Sequence, residues 1–237
     1  MNRPLACAVA LVIATGLAGC ATTPPAHADN DKTAMPAPTA QDNPFFAEST
    51  LPLKYPAFDK IKDSDFGPAF DRGMADQLKE VAAIADNAEP ATFDNTIVAL
   101  EKSGQVLGRA ATVFFNLTGA DTNDTREKLQ GDYAAKLSAH SDAISLNPKL
   151  FARIKSLYDN RQSLGLKAEG VRLIERYNTD FVRAGANLTE AQKARIKDIN
   201  SELATLGTKF NQNVLAEVNA AAVVVDTKAE LAGLSDG

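Results

Sequence analysis

From about Asp63 onward the apolar residues recur at three- and four-residue steps, the period of helices that each bury one face. Phe66, Phe70, Met74, Leu78 and Val81 form the first row, with Ser64 or Asp65 as its cap and Pro90 as its end. Thr92 caps a second helix carrying Ile97, Leu100, Leu107, Ala111, Phe114 and Leu117 inward, and Gly119 is its stop. A third spans residues 123–145, with Leu129, Tyr133, Leu137 and Ile144 inward. Asn147-Pro148 supplies a cap and a first-turn proline for a fourth, on which Phe151, Ile154, Leu157 and Tyr158 follow. The fifth, 168–184, carries Leu173, Ile174, Tyr177 and Phe181.

The sixth helix is the most regular. Thr189 and Gln192 form a capping box, and Ile196, Ile199, Leu203, Leu206 and Phe210 follow at the spacing of two helices packed side by side. That row predicts burial of Leu203 and Phe210 against partner helices and extends the helix past Val214. The pattern then changes to Val223-Val224-Val225, which predicts a short strand at 222–226. Thr227 and Glu230 cap a final short helix ending at Gly233. The fold class is all-α, with that single strand near the end.

Ahead of this domain the chain has a different character. Met1-Asn2-Arg3 is basic, Leu5 to Leu17 is apolar without a charge, and Leu17-Ala18-Gly19-Cys20 closes the stretch. That is the build of a secretory signal, and the apolar run falls short of the about 20 residues a membrane-spanning helix needs. The last four residues resemble the lipobox of bacterial lipoproteins, which makes Cys20 the expected lipidation site and new N-terminus. Ala21 in place of Asp implies, by the same resemblance, the periplasmic face of the outer membrane, with the inner membrane as the other address. Residues 21–43 are rich in Ala, Pro, Thr and Asp with almost no large apolar side chain, the composition of a flexible linker. The expected domains are a signal over 1–19, the lipidated Cys20 and linker over 20–43, and a helical domain over 44–237.

Composition narrows the chemistry. The two cysteines are Cys7 in the signal and Cys20, so the helical domain has neither a disulfide nor a thiolate metal site. With 25 basic and 30 acidic residues the net charge is −5, which argues against nucleic acid as a partner. Lys193, Arg195 and Lys197 are interleaved with acids and read as a solvated face. The two histidines are His27, in the linker, and His140, which reads as a half-exposed helix residue. No His-Glu-x-x-His, Gly-x-Ser-x-Gly or phosphate-cradling glycine loop occurs. Asp63/Asp65 and Asp121/Asn123/Asp124 resemble pieces of calcium loops but lack the glycine and glutamate that complete one, so helix capping accounts for them. From these residues no catalytic and no metal-binding side chain is assigned, and the substrate-binding residues are unknown.

Three stretches carry a resemblance to a known family: FDNTIVALEKSG (Phe93 to Gly104), RAGANL (Arg183 to Leu188), and LATLGTKFNQNVL (Leu203 to Leu215). With the flanking residues they resemble the thimet-oligopeptidase-like zinc metallopeptidases, nearest to the peptidyl-dipeptidases among them. The resemblance implies an enzyme that hydrolyses short peptides, releasing C-terminal dipeptides, with zinc held by two imidazoles and a carboxylate. Family members are several times longer, and their zinc-binding helix lies in the C-terminal half. The resemblance therefore implies that this chain is the helical N-terminal portion, one wall of a peptide-admitting channel, cut before the catalytic domain. Short peptides and its own catalytic half are the expected partners, together with a membrane reached through the lipid. Alone, the chain is expected to bind no zinc and to be inactive. The alternative is a stand-alone, lipid-anchored helical module that binds peptides or a partner.

Overall fold

The computed structural model describes residues 43–233, so Cys20, His27 and nearly all of the linker lie outside the described residues. Seven α-helices follow one another: α1 (Asp63–Ala85), the short α2 (Ala99–Glu101), α3 (Gln105–Ala120), α4 (Asp124–Ser145), α5 (Pro148–Asn160), α6 (Ala168–Ala184) and α7 (Glu190–Ala220). Single 3₁₀ turns lie at Pro52–Lys54 and Lys228–Leu231, and a π-helical turn, Phe93–Val98, leads into α2.

Local chemistry sets most of the boundaries. Asn147 accepts hydrogen bonds from the Lys149 and Leu150 amides (3.0 and 3.1 Å), with Pro148 in the first turn of α5. Asn123 caps α4 by accepting from the Arg126 amide (2.9 Å), and Thr189 with Gln192 forms the expected box on α7. At the head of α1 neither Ser64 nor Asp65 is the cap; Asp65 sits in the first turn and reaches back to the Lys62 amide (2.8 Å). The helix ends at Ala85, before Pro90.

The structure corrects three expectations about the elements. The helix expected from Thr92 to Gly119 is broken in the middle. Ser103 Oγ donates to the Leu100 carbonyl (2.8 Å), and Gly104 turns left-handed at φ 71° before α3 begins. A side chain there would strain the backbone and meet Gln77 at 2.4 Å. The expected strand at 222–226 is extended chain, not strand. Strands need a ladder partner for their amides and carbonyls, and no described segment pairs with the valines. Lys193 is also not solvated: it is buried, with its ammonium 3.1 Å from Glu190.

Two apolar cores share α1. At its N-terminal end Phe66 and Phe70 pack with Phe45, Val113, Phe114 and Tyr133; at its C-terminal end Val81 and Ile84 pack with Ile97, Leu150, Ile154, Leu157, Ile174 and Phe181. The first core is aromatic, with Phe114 edge-on to both Phe66 and Phe70 at 5.0 and 5.2 Å. Tyr133 closes it by donating to the Gly67 carbonyl (3.0 Å); burial, with the nearby Asp71 carboxylate adding to it, pushes that phenol up to about 12. Gly73 lets α1 and α3 touch backbone to backbone, since a Cβ there would lie 2.6 Å from the Leu107 amide nitrogen. Helix α7 runs antiparallel to α4, with Asn200 bonded to Asp142 near one end and Gln212 to the Glu127 carbonyl near the other.

Candidate functional site

The arm that enters the domain builds a cleft. Asn43 donates to the Asp65 carbonyl (2.7 Å) and accepts from the Phe45 amide (3.0 Å), which directs the Phe45 ring into the aromatic core, 5.2 Å from Phe66. From α3, Arg109 Nε and Nη2 both donate to the Phe45 carbonyl (3.1 and 2.9 Å). Beyond that clamp the arm loops out to Ile61, and between loop and α3 lies a cleft of about 750 Å³. Phe45, Ile61 and Val113 give it apolar walls, and Gly108 leaves its side open because nothing lies within 4 Å of a Cβ there. Leu51, Leu53, Tyr55 and Phe58 on the same loop are exposed.

What this cleft can do is bind. Its two serine hydroxyls donate to backbone carbonyls, Ser49 to Tyr55 (2.6 Å) and Ser103 to Leu100 (2.8 Å), and no histidine lines it. A nucleophile needs an adjacent base, and neither serine has one. The apolar walls and edge charges suit an extended, partly apolar chain.

A half-buried polar chain lies beside α1. His140 Nε2 on α4 is 2.7 Å from Gln77 Oε1, and the Gln77 amide nitrogen is 3.5 Å from Ser103 Oγ at the α2–α3 break. Because Gln77 presents oxygen, Nε2 carries the proton, and Nδ1 is buried without a partner. His140 is thus buried rather than half-exposed. Burial lowers its pKa below the ordinary value of 6.5, since a second proton would place a charge where no acceptor waits. A depressed histidine contributes stability that is present above the unfolded-state pKa and lost as pH falls through the folded one. The melting temperature should therefore fall from pH 7 to 5.5, and His140→Gln, which keeps an N–H for Gln77 but does not titrate, should flatten that slope. Equal slopes in thermal melts of both proteins would show that His140 is not the group responsible.

The acidic residues that resemble calcium-loop pieces serve the fold. Asp63 receives Arg126 Nε (2.7 Å) and the Asn123 side-chain amide (2.8 Å), joining the starts of α1 and α4, while Asp65 accepts from the Lys62 amide and Asn123 caps α4. Among the described residues no three His, Cys, Asp or Glu side chains stand where they could hold a metal ion. No described helix is long and apolar enough to cross a membrane.

Sequence reasoning misplaced the apolar row of α7. The side seated against α4 carries Lys193, Ile196, Asn200, Ala204, Thr208 and Gln212, mostly small or polar. The regular row faces outward: Leu203 is 61% exposed, Leu206 55%, Phe210 67% and Val214 45%. At 100° per residue the two faces lie about 120° apart. Periodicity locates a stripe but does not say which stripe this part of the chain covers. Arg109 and the cleft also escaped the sequence, because a lone arginine in a helical row carries no signal of the carbonyl it holds 64 positions away.

No family model matches the chain. Over 194 residues, 82% of its length, the chain is 45% identical to dipeptidyl carboxypeptidase of Escherichia coli (strain K12). Identity is also 45%, over 193 residues, to the protein of that name from Salmonella typhimurium (strain LT2). Over 185 residues it is 23% identical to oligopeptidase A of E. coli. The chain spans 28% of the length of each of the first two relatives and 27% of the third.

Proposed function

We propose, from the premise that this chain belongs to the family of the dipeptidyl carboxypeptidases and oligopeptidases A, that it is the helical wall of an exported zinc peptidase. In this reading the whole enzyme removes C-terminal dipeptides from short peptides. The observation that carries it is the identity of 45% over 194 residues to a dipeptidyl carboxypeptidase, about twice that to oligopeptidase A.

The chain's own share of the work is shape. The aromatic core holds α3 and the entering arm around an open cleft, which suits a surface that guides extended peptides and turns folded ones away. Zinc does not fit here: among the described residues the one histidine, His140, is enclosed and bonded to Gln77. The metal and the groups that activate water belong to the remainder of the protein, and no step is derived through them. Cys20 is the lipid-bearing residue in this reading, and it places the enzyme outside the cytoplasm.

The test is a longer product of the same gene. It should release dipeptides from the C-termini of short peptides and lose that activity to a chelator, whereas the 237-residue chain alone should release none. Absence of chelator-sensitive release from the longer product would overturn the assignment, and binding of peptides without cleavage would favour a binding module instead. For export, Cys20→Ser should shift the protein out of the membrane fraction; an unchanged distribution would remove the anchor from the proposal.

A further inference from the structure

The outward row of α7 does not stop where its neighbour does. Helix α4 has 22 residues and α7 has 31, about 33 and 46 Å long at the helical rise. The last α7 side chain bonded to α4 is Gln212, to Glu127 in the first turn of α4, so only about the final turn of α7 overhangs it. Toward this end of α7 apolar residues are exposed on more than one side: Val214 at 45%, Leu215 at 36% and Val218 at 62%. Val223, Val224 and Val225 continue the exposed apolar surface in extended chain. In the middle of the row sits Gly207, one turn after Leu203 and one before Phe210, with nothing within 4 Å of where its Cβ would be. A glycine inside a long helix weakens it relative to alanine by about 0.5–1 kcal/mol unless something uses the space. Isolated apolar side chains on a surface need no explanation, but a contiguous row of this length does.

We infer that this row, Leu203 to Val218, is the seat of one apolar-faced helix supplied by the remainder of the same protein, with its backbone closest at Gly207. The inference rests on the proposed membership of a longer peptidase and names the surface through which this part joins the rest. Three observations favour that occupant. The curated relatives are more than three times the length this chain spans. The overhang lies toward the C-terminal end of the chain, so a following segment reaches it without a long connection. The spacing of Leu203, Leu206, Phe210 and Val214 is that of a seam for a single helix laid alongside.

Gly207 gives a test that reads with opposite signs in two settings. In the 237-residue chain the site is open, so Gly207→Leu should leave the melting temperature unchanged or raise it by about 2–4 °C through better helix propensity. In the longer gene product the same substitution should lower it, because the leucine meets the seated helix. Phe210→Asp is the second probe. In the short chain it should reduce binding of a hydrophobic dye without lowering the melting temperature, and in the longer product it should destabilise. Equal effects of Gly207→Leu in both settings would overturn the inference. So would a coding sequence that stops after Gly237, or a dimer of the short chain that Phe210→Asp dissociates, since a second copy would then be the occupant. Both readouts are independent of catalysis. A longer product that lacks peptidase activity yet shows the sign reversal sinks the enzyme assignment and leaves this inference standing.

Discussion

Phe114→Ala should cost about 3–5 kcal/mol of stability in urea unfolding of the 237-residue chain, the typical range for emptying a packed phenylalanine site. Phe114 is fully buried, edge-on to Phe66 and Phe70, and joins α3 to α1. Collapse into the space is opposed by rigid neighbours: Gly73 already brings α1 and α3 into backbone contact, so the helices cannot move closer there. The adjacent Phe115 is the control. It is 46% exposed, and Phe115→Ala should cost under about 1 kcal/mol. Similar unfolding midpoints for the two variants would show that the aromatic core is not packed as described.

Arg153→Ala should cost about 3 kcal/mol or more, although it removes no ion pair between described residues. The side chain is buried, and its guanidinium serves four acceptors on one stretch of chain. Nη1 donates to the Asn87 and Glu89 carbonyls (2.8 and 2.9 Å), Nη2 to Asn95 Oδ1 (2.8 Å), and Nε to Thr96 Oγ1 (3.3 Å). Asn95 is itself a hub, accepting from the Thr92 amide and donating to the Pro90 carbonyl. Alanine would remove all of these bonds at once, and a hydrogen bond to a charged group contributes about 1.5–3 kcal/mol. Arg153→Lys should recover less than half of the loss, because an ammonium lacks the planar fork that spans the four positions. Full recovery by lysine in denaturant titrations would mean that charge, not the fork, holds the turn.

Where the sequence spoke clearly, it did so through side chains that satisfy helix ends. Asn147-Pro148 and Thr189 with Gln192 reappear because a cap acts on amides two or three residues away, a range that a one-dimensional reading covers, whereas the fifth helix at 168–184 reappears through its apolar row without a side-chain cap. The break at Gly104 was less visible. The apolar spacing runs through it, yet Ser103-Gly104 is a turn pair, and the reason for the glycine, Gln77 pressed against it, is far off in the chain. The valine run at 223–225 carries strand propensity that no described neighbour completes, and propensity alone does not form a ladder. The α7 row shows a deeper limit: its spacing was read correctly and its direction was not, because burial depends on what else is present. The candidate cleft was the least legible part, since its shape comes from one arginine and one carbonyl meeting across the fold.

That arginine has a mechanical consequence. If the sequence before Asn43 is a tether, any pull on it enters the domain at Phe45, whose ring is held in the aromatic core and whose carbonyl is gripped twice by Arg109. Load would pass directly into α3 and α1 along the inner wall of the cleft, while the exposed loop from Glu48 to Phe58 lies downstream of the grip. A protein moored by its first residues could thus be tugged without the pull reaching the loop that forms the cleft's outer wall.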